Sequence, residues 1–232
     1  MLNRKFINLL RIICISILLT NAGCSTSQRP KPSPLPPSQA QSQIEILSNQ
    51  AVELNPRVLN LALNAYKKAA NRGLVKQPKL TVIDYSLPSV VPRLWVFDLN
   101  DNKLLYQLHV THGAKSGLLN ATEFSNQHDS HKSSLGVFLT EEAYYGRYGY
   151  SLRLKGLEKG FNDNARSRAI VMHGAEYATA EHAVLSKRLG RSWGCPAIDP
   201  KVSTRVVEEL KQGSLIFAYY PEENWLKQSN FM

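Results

Sequence analysis

Cys195 and His173 carry the clearest chemical signal in the sequence. Of three cysteines (Cys14, Cys24 and Cys195), only the last lies in the region with the patterning of a folded domain. A thiol without a pairing partner in its own domain is, in the plainest case, a small buried hydrophobe. Its surroundings point further. The run Lys187 to Ala197 (KRLGRSWGCPA) has no strand alternation. Gly194 allows a tight backbone approach and Pro196 fixes the exit, so the turn presents a sulfur together with its own N–H. Arg191 nearby favours the thiolate. A thiol nucleophile needs a base within hydrogen-bond reach. His173 ends the apolar stretch AIVM and precedes Gly174, which sets an imidazole at a strand end beside permissive backbone.

The other histidines suggest a different chemistry. His109/His112 and His128/His131 have spacings that invite a zinc reading. No HExxH accompanies them, two such pairs arise readily by chance, and no metal is expected. His182 falls in a surface helix and faces solvent.

These groups need a scaffold, and the chain supplies one. Asn55-Pro56 starts a helix, with Asn as cap and Pro in the first turn. Val58, Leu59, Ala62, Leu63, Tyr66 and Ala69 follow at helical spacing, and Gly73 stops it. From Leu80 the pattern turns to strands: LTVID, RLWVFDL, KLLYQLHV, LGVFLT, RAIVMHG and SLIFAYY. Asp101-Asn102 marks a hairpin turn between the second and third. STRVVEELKQG, after Pro200, is a short helix with Ser203 as cap and Gly213 at its end. The segment 78–222 is therefore one mainly β domain with short helices, preceded by a helix over 51–75 and followed by a tail over 223–232.

Ahead of the fold lies an address. Arg4, Lys5 and Arg11 precede the short apolar run Ile12 to Leu19, and Ala22-Gly23 follow. Residues 1–23 are expected to be a secretory signal, too short to span a membrane. Residues 24–50 include SQRPKPSPLPPSQAQSQ, a composition that favours a solvated tether. Of 232 residues, 28 are Lys or Arg and 18 are Asp or Glu, a net charge of +10. Without the leader's three cations the balance is 25 against 18, or +7, which suits an anionic surface or polymer. Nucleic acid is not expected, because zinc-finger spacing and a basic helix are both missing. An apolar fraction of 43% excludes a wholly disordered chain, and three cysteines exclude a disulfide-built scaffold.

The stretch LTNAGC resembles a bacterial lipoprotein signal. That likeness implies lipidation at Cys24 and, with Ser25 following, contact with outer-membrane lipid from the periplasmic side. Cleavage after Ala22 without lipidation is the alternative. The segment 78–222 resembles the bacterial murein L,D-transpeptidase catalytic domain family. The stretches that carry the likeness are VIDYSLPS, RLWVFDL, HGAKSG, ATEFSNQ, SSLGVF, YYGRYGYSLRLKGLEKGFNDNARSRAIVMHGAEY and GRSWGCPAI. It implies a β-sandwich catalytic domain. Cys195 then matches the nucleophile and His173 its base, with the Gly174 carbonyl orienting the imidazole. Ser192 and Gly194 match the turn, and backbone N–H groups around Gly194 and Cys195 form the oxyanion hole. Trp193 and Ala197 stand where the more familiar branch has histidine and arginine. Arg153, Arg168 or Arg191 would then meet the substrate's carboxylate, with Trp193 beside them. The implied partners are peptidoglycan stem peptides, and no cofactor is implied. The implied reaction is acyl transfer through a thioester with loss of D-Ala. Hydrolysis of the same bond, or a non-catalytic wall-binding lipoprotein, are its rivals.

Overall fold

The computed structural model describes residues 37–232. The leader 1–23, Cys24 and the start of the tether lie outside the described residues. Helix α1, Pro37–Gln50, occupies a stretch expected to be solvated tether. The correction has a physical reason. Ile44, Leu47 and Ala51 fall on one helical face, and Leu47 and Ala51 are fully buried. The glutamines are hydrogen-bonding partners rather than solvated filler. Gln43 donates to Leu99 O at 3.2 Å and Asn102 Oδ1 at 2.6 Å, and Gln50 exchanges bonds with Asn102 O and Leu104 N. Composition outweighed periodicity in the expectation; the fold reverses that order.

Helix α2, Pro56–Asn71, begins as expected, with Asn55 Oδ1 accepting from Arg57 N at 2.9 Å. Its apolar face packs on strands β1, Lys79–Asp84, and β8, Leu215–Tyr219. The remaining strands are β2, Leu94–Asp98; β3, Lys103–Leu108; β4, Gly136–Gly146; β5, Gly149–Gly156; β6, Val171–Gly174; and β7, Ala197–Ile198. All eight form one sheet in the order β3-β2-β1-β8-β4-β5-β6-β7. The pairs β1–β8 and β6–β7 are parallel, and the others antiparallel. The β2–β3 turn holds Asn102 at φ 50°, the left-handed position a hairpin requires.

The sheet curls until its edges meet. Beyond β3, Thr111 N donates to Ala197 O at 3.0 Å and Ala114 N to Ser192 O at 2.7 Å, while Ser192 N returns to His112 O at 3.1 Å. The expected sandwich is thus one nearly closed sheet around a core that includes Trp95, Phe97, Val137 and Phe217. This closure carries the approach to β7, with Cys195, alongside the segment that follows β3.

Two termini differ from expectation. Helix α4, Pro200–Leu210, is capped by Asp199, whose Oδ1 accepts from Lys201 N at 2.8 Å. Ser203 sits inside the helix and donates back to Pro200 O at 3.2 Å. Asp-Pro uses the same device as Asn-Pro at α2, with cap and first-turn proline adjacent. Nor is 223–232 a loose tail. Helix α5, Glu223–Gln228, buries Trp225 completely, and Phe231 packs with it. The Trp225 indole donates at 3.2 Å to the buried carboxylate of Glu158, which also accepts from Val137 N at 2.6 Å and from Ser229. Between β6 and β7, helix α3, Ala180–Ser186, carries His182, half-buried rather than solvent-facing.

Candidate active site

Strand β6 holds His173 between two neighbours. Ser151 of β5 pairs with it on one side and Ala197 of β7 on the other. The imidazole is buried, with Nδ1 3.0 Å from the carbonyl oxygen of Gly174. A carbonyl only accepts, so Nδ1 carries the hydrogen and Nε2 keeps the lone pair of a base. Burial lowers the His173 pKa below its ordinary range, and the Gly174 bond opposes that shift. Tyr148, in the β4–β5 turn, stacks on the ring at 4.5 Å between centroids. Gly174 is needed as glycine, since a Cβ there would lie 2.5 Å from Ser203 Oγ of α4.

The turn before β7 is self-braced. Ser192 Oγ donates to Cys195 O at 2.6 Å and accepts from Gly194 N at 3.1 Å. Gly194 has φ 120°, and a Cβ would come within 2.7 Å of Lys132 O. Gly194 and Pro196 line a small interior void with Ile83 and Tyr85. Ala197 of β7 pairs with His173 of β6, and Cys195 precedes that strand by two residues. No hydrogen bond joins thiol and imidazole. Cys195 Sγ accepts from Val171 N at 3.5 Å and donates to Ala169 O at 3.7 Å. Burial raises the thiol pKa; the Val171 N–H, the Arg168 cation and the cysteine's own N–H pull it down. Both shifts favour the uncharged form of the group concerned.

The sequence profile of the L,D-transpeptidase catalytic domain matches residues 50–219, most of the chain and all of this site. The chain belongs to the L,D-transpeptidase catalytic domain family. A search of curated proteins gives no match. Among solved structures it is similar to an L,D-transpeptidase from Mycobacterium smegmatis, at 13% identity and TM-score 0.39, covering 62% of this chain and 59% of that one. It is also similar to an L,D-transpeptidase from Stackebrandtia nassauensis, at 16% identity and TM-score 0.36, covering 69% and 66%. A third is the helical cell shape determining protein Pgp2 of Campylobacter jejuni, at 8% identity and TM-score 0.41, covering 70% and 57%.

Within this L,D-transpeptidase-family site, one expected donor changes role. The Gly194 N–H, expected to be an oxyanion donor, is taken up by Ser192 Oγ, and the Cys195 N–H is directed at its own sulfur. The three candidate arginines also separate. Arg153 shares the face of His173 but is paired with Glu142 at 2.8 Å and lies 4.0 Å over the Tyr144 ring. Arg168 donates to Ser125 O, Ser134 Oγ, Ser130 Oγ and Lys132 O, so it staples the 125–134 loop beside the thiol. Arg191 uses only Nη1, on Ala114 O at 2.8 Å and Gly117 O at 3.1 Å. Its other nitrogens have no hydrogen-bond partner among the described residues, and neither do the two Nη groups of Arg153, whereas both Nη groups of Arg168 are engaged.

Each histidine of the two pairs has another partner, and among the described residues no three His, Cys, Asp or Glu side chains gather as a metal site. His112 is buried, with Nδ1 2.7 Å from the Arg93 guanidinium and Nε2 donating to Gly117 O at 3.3 Å. Burial and that cation hold its pKa at about 4. His109 bonds Val90 O, His128 bonds Ser167, and the His131 ring stacks on Trp193. Several site residues were not anticipated. Tyr148 had a signal in its place between glycines in YYGRYGY. Ala169, whose carbonyl accepts the thiol from a left-handed φ of 54°, had none.

Proposed function

We infer that the chain is a cysteine-dependent murein L,D-transpeptidase. The observation that carries the reading is the Nδ1–H to Gly174 O bond of His173, which leaves Nε2 basic on the strand beside the Cys195 run. The Cys195 S–H proton passes to Nε2 as sulfur attacks the carbonyl between the third residue and the terminal D-Ala of a stem tetrapeptide. The Cys195 N–H meets the oxyanion. The C–N bond breaks, the imidazolium protonates the departing D-Ala amine, and a thioester remains. The amine of a neighbouring stem then attacks. Its proton goes to Nε2, and the thiolate leaves and is reprotonated. Arg191 meets the donor's carboxylate.

Export to the periplasm and acylation of Cys24, which would tether the enzyme to outer-membrane lipid, belong to the same proposal. The test is incubation of the protein and its Cys195→Ala variant with disaccharide-tetrapeptides, followed by mass analysis. Cross-linked dimers absent from the variant are expected. Loss of D-Ala alone selects hydrolysis, and no Cys195-dependent product selects a wall-binding role. Intact mass of membrane-extracted protein reads Cys24 acylation directly.

A further inference from the structure

We propose that the stacked pair Trp193–His131 is the subsite for the acyl donor's third residue, whose ammonium-ended side chain lies across the open face of the indole. This rests on the transfer reading above and adds the direction in which the donor runs.

Trp193 is 65% exposed, although the turn around it is buried. Its ring lies 4.7 Å from that of His131 and within 6° of parallel, so one face is covered and the other is open. The loop beneath is built to hold this. Asp129 and His131 both adopt left-handed backbone, at φ 54° and 52°. Lys115 N donates to His131 O at 3.1 Å, and Arg168 Nη2 grips Ser130 Oγ and Lys132 O on either side. An indole fixed in the open beside a reactive turn is a recognition surface rather than a core element.

Chemistry decides which half of the substrate it meets. The leaving amine takes a proton from His173, and the entering amine gives one back, so both use the His173 side of the thiol. Ala197, level with His173, follows Cys195 by two residues, and Trp193 precedes it by two. The acyl portion of the donor therefore extends over Trp193. An indole face packs methylene groups and attracts an ammonium. Arg191, two residues further back, takes the carboxylate of the same side chain.

The test compares wild type, Trp193→Ala and Trp193→Phe on two tetrapeptide donors, one with a free side-chain amine on the third residue and one with that amine acetylated. D-Ala release reads acylation, and the ratio of cross-linked to hydrolysed product at a fixed acceptor concentration reads the second step. With the free-amine donor, Trp193→Ala is expected to lower kcat/KM for acylation by about tenfold, mainly through KM. The product ratio and melting temperature stay unchanged, Trp193→Phe recovers most of the loss, and the acetylated donor shows little effect. A changed product ratio with intact acylation would put Trp193 on the acceptor side and overturn the proposal. Equal losses on both donors would overturn it in favour of a structural role. Absence of D-Ala release from wild type would remove the transfer reading itself, and this subsite with it.

Discussion

The imidazole of His173 is oriented by the carbonyl of the residue that follows it, Gly174, at 3.0 Å. No carboxylate is needed to fix the tautomer. A neutral orienting group does not stabilise an imidazolium as a carboxylate would, and burial depresses the His173 pKa further. Burial likewise favours the uncharged thiol of Cys195.

This makes the thiol titration informative. Thiolate absorbance of the free protein is expected to appear only above the ordinary thiol value of 9.0, because burial raises Cys195. The acid limb of acylation should fall below the ordinary histidine value of 6.5. Thiolate absorbance at neutral pH would mean that a pre-formed ion pair exists instead.

Tyr148→Ala removes the ring that covers His173. With less burial the imidazole charges more easily, so its pKa rises toward the ordinary value and the acid limb moves to higher pH. NMR titration of His173 in both proteins measures the shift.

Arg168→Gln leaves Ser125 O and Lys132 O without their guanidinium donors and takes a cation away from the thiol. Unfolding free energy should fall by about 2–4 kcal/mol, since part-buried acceptors lose charged donors. The thiol pKa should rise further. Urea denaturation and thiolate absorbance read the two effects separately.

Gly194→Ala meets both an unfavourable φ of 120° and a carbonyl, Lys132 O, at 2.7 Å from the new Cβ. The expected cost is about 1–3 kcal/mol. Because relief requires the turn to move, acylation should fall by more than the stability loss accounts for. Wild-type rates in a well-folded variant would show that the Lys132 contact does not set the turn.

Glu158 links α5 to the sheet. Burial raises its carboxyl above the ordinary 4.5, so the folded state holds that proton more tightly than the unfolded chain. Its contribution is full below that value and is lost as pH rises through the raised one. Glu158→Gln should remove this fall as pH rises above 4.5, as read by urea midpoints. Trp225→Ala should cost about 3–5 kcal/mol, as expected for a fully buried indole.

The local signals were legible because they depend on near neighbours. Asn55-Pro56 specifies a helix start through its own dihedrals, apolar alternation specifies strands, and a strand-end histidine before glycine carries its own orienting carbonyl. Cys195 and His173 stood out by their settings, a turn between glycine and proline and the end of an apolar strand before glycine. The sequence left three arginines equivalent, and only the fold separated them, because Arg168 reaches residues 34 to 43 positions away and Arg153 a glutamate across a hairpin. The same holds for His131 beneath Trp193, for the glutamines of α1 and for the buried end at Trp225. Each contact joins segments that meet only once strands pair or elements pack, and such closure leaves no periodic trace in the sequence.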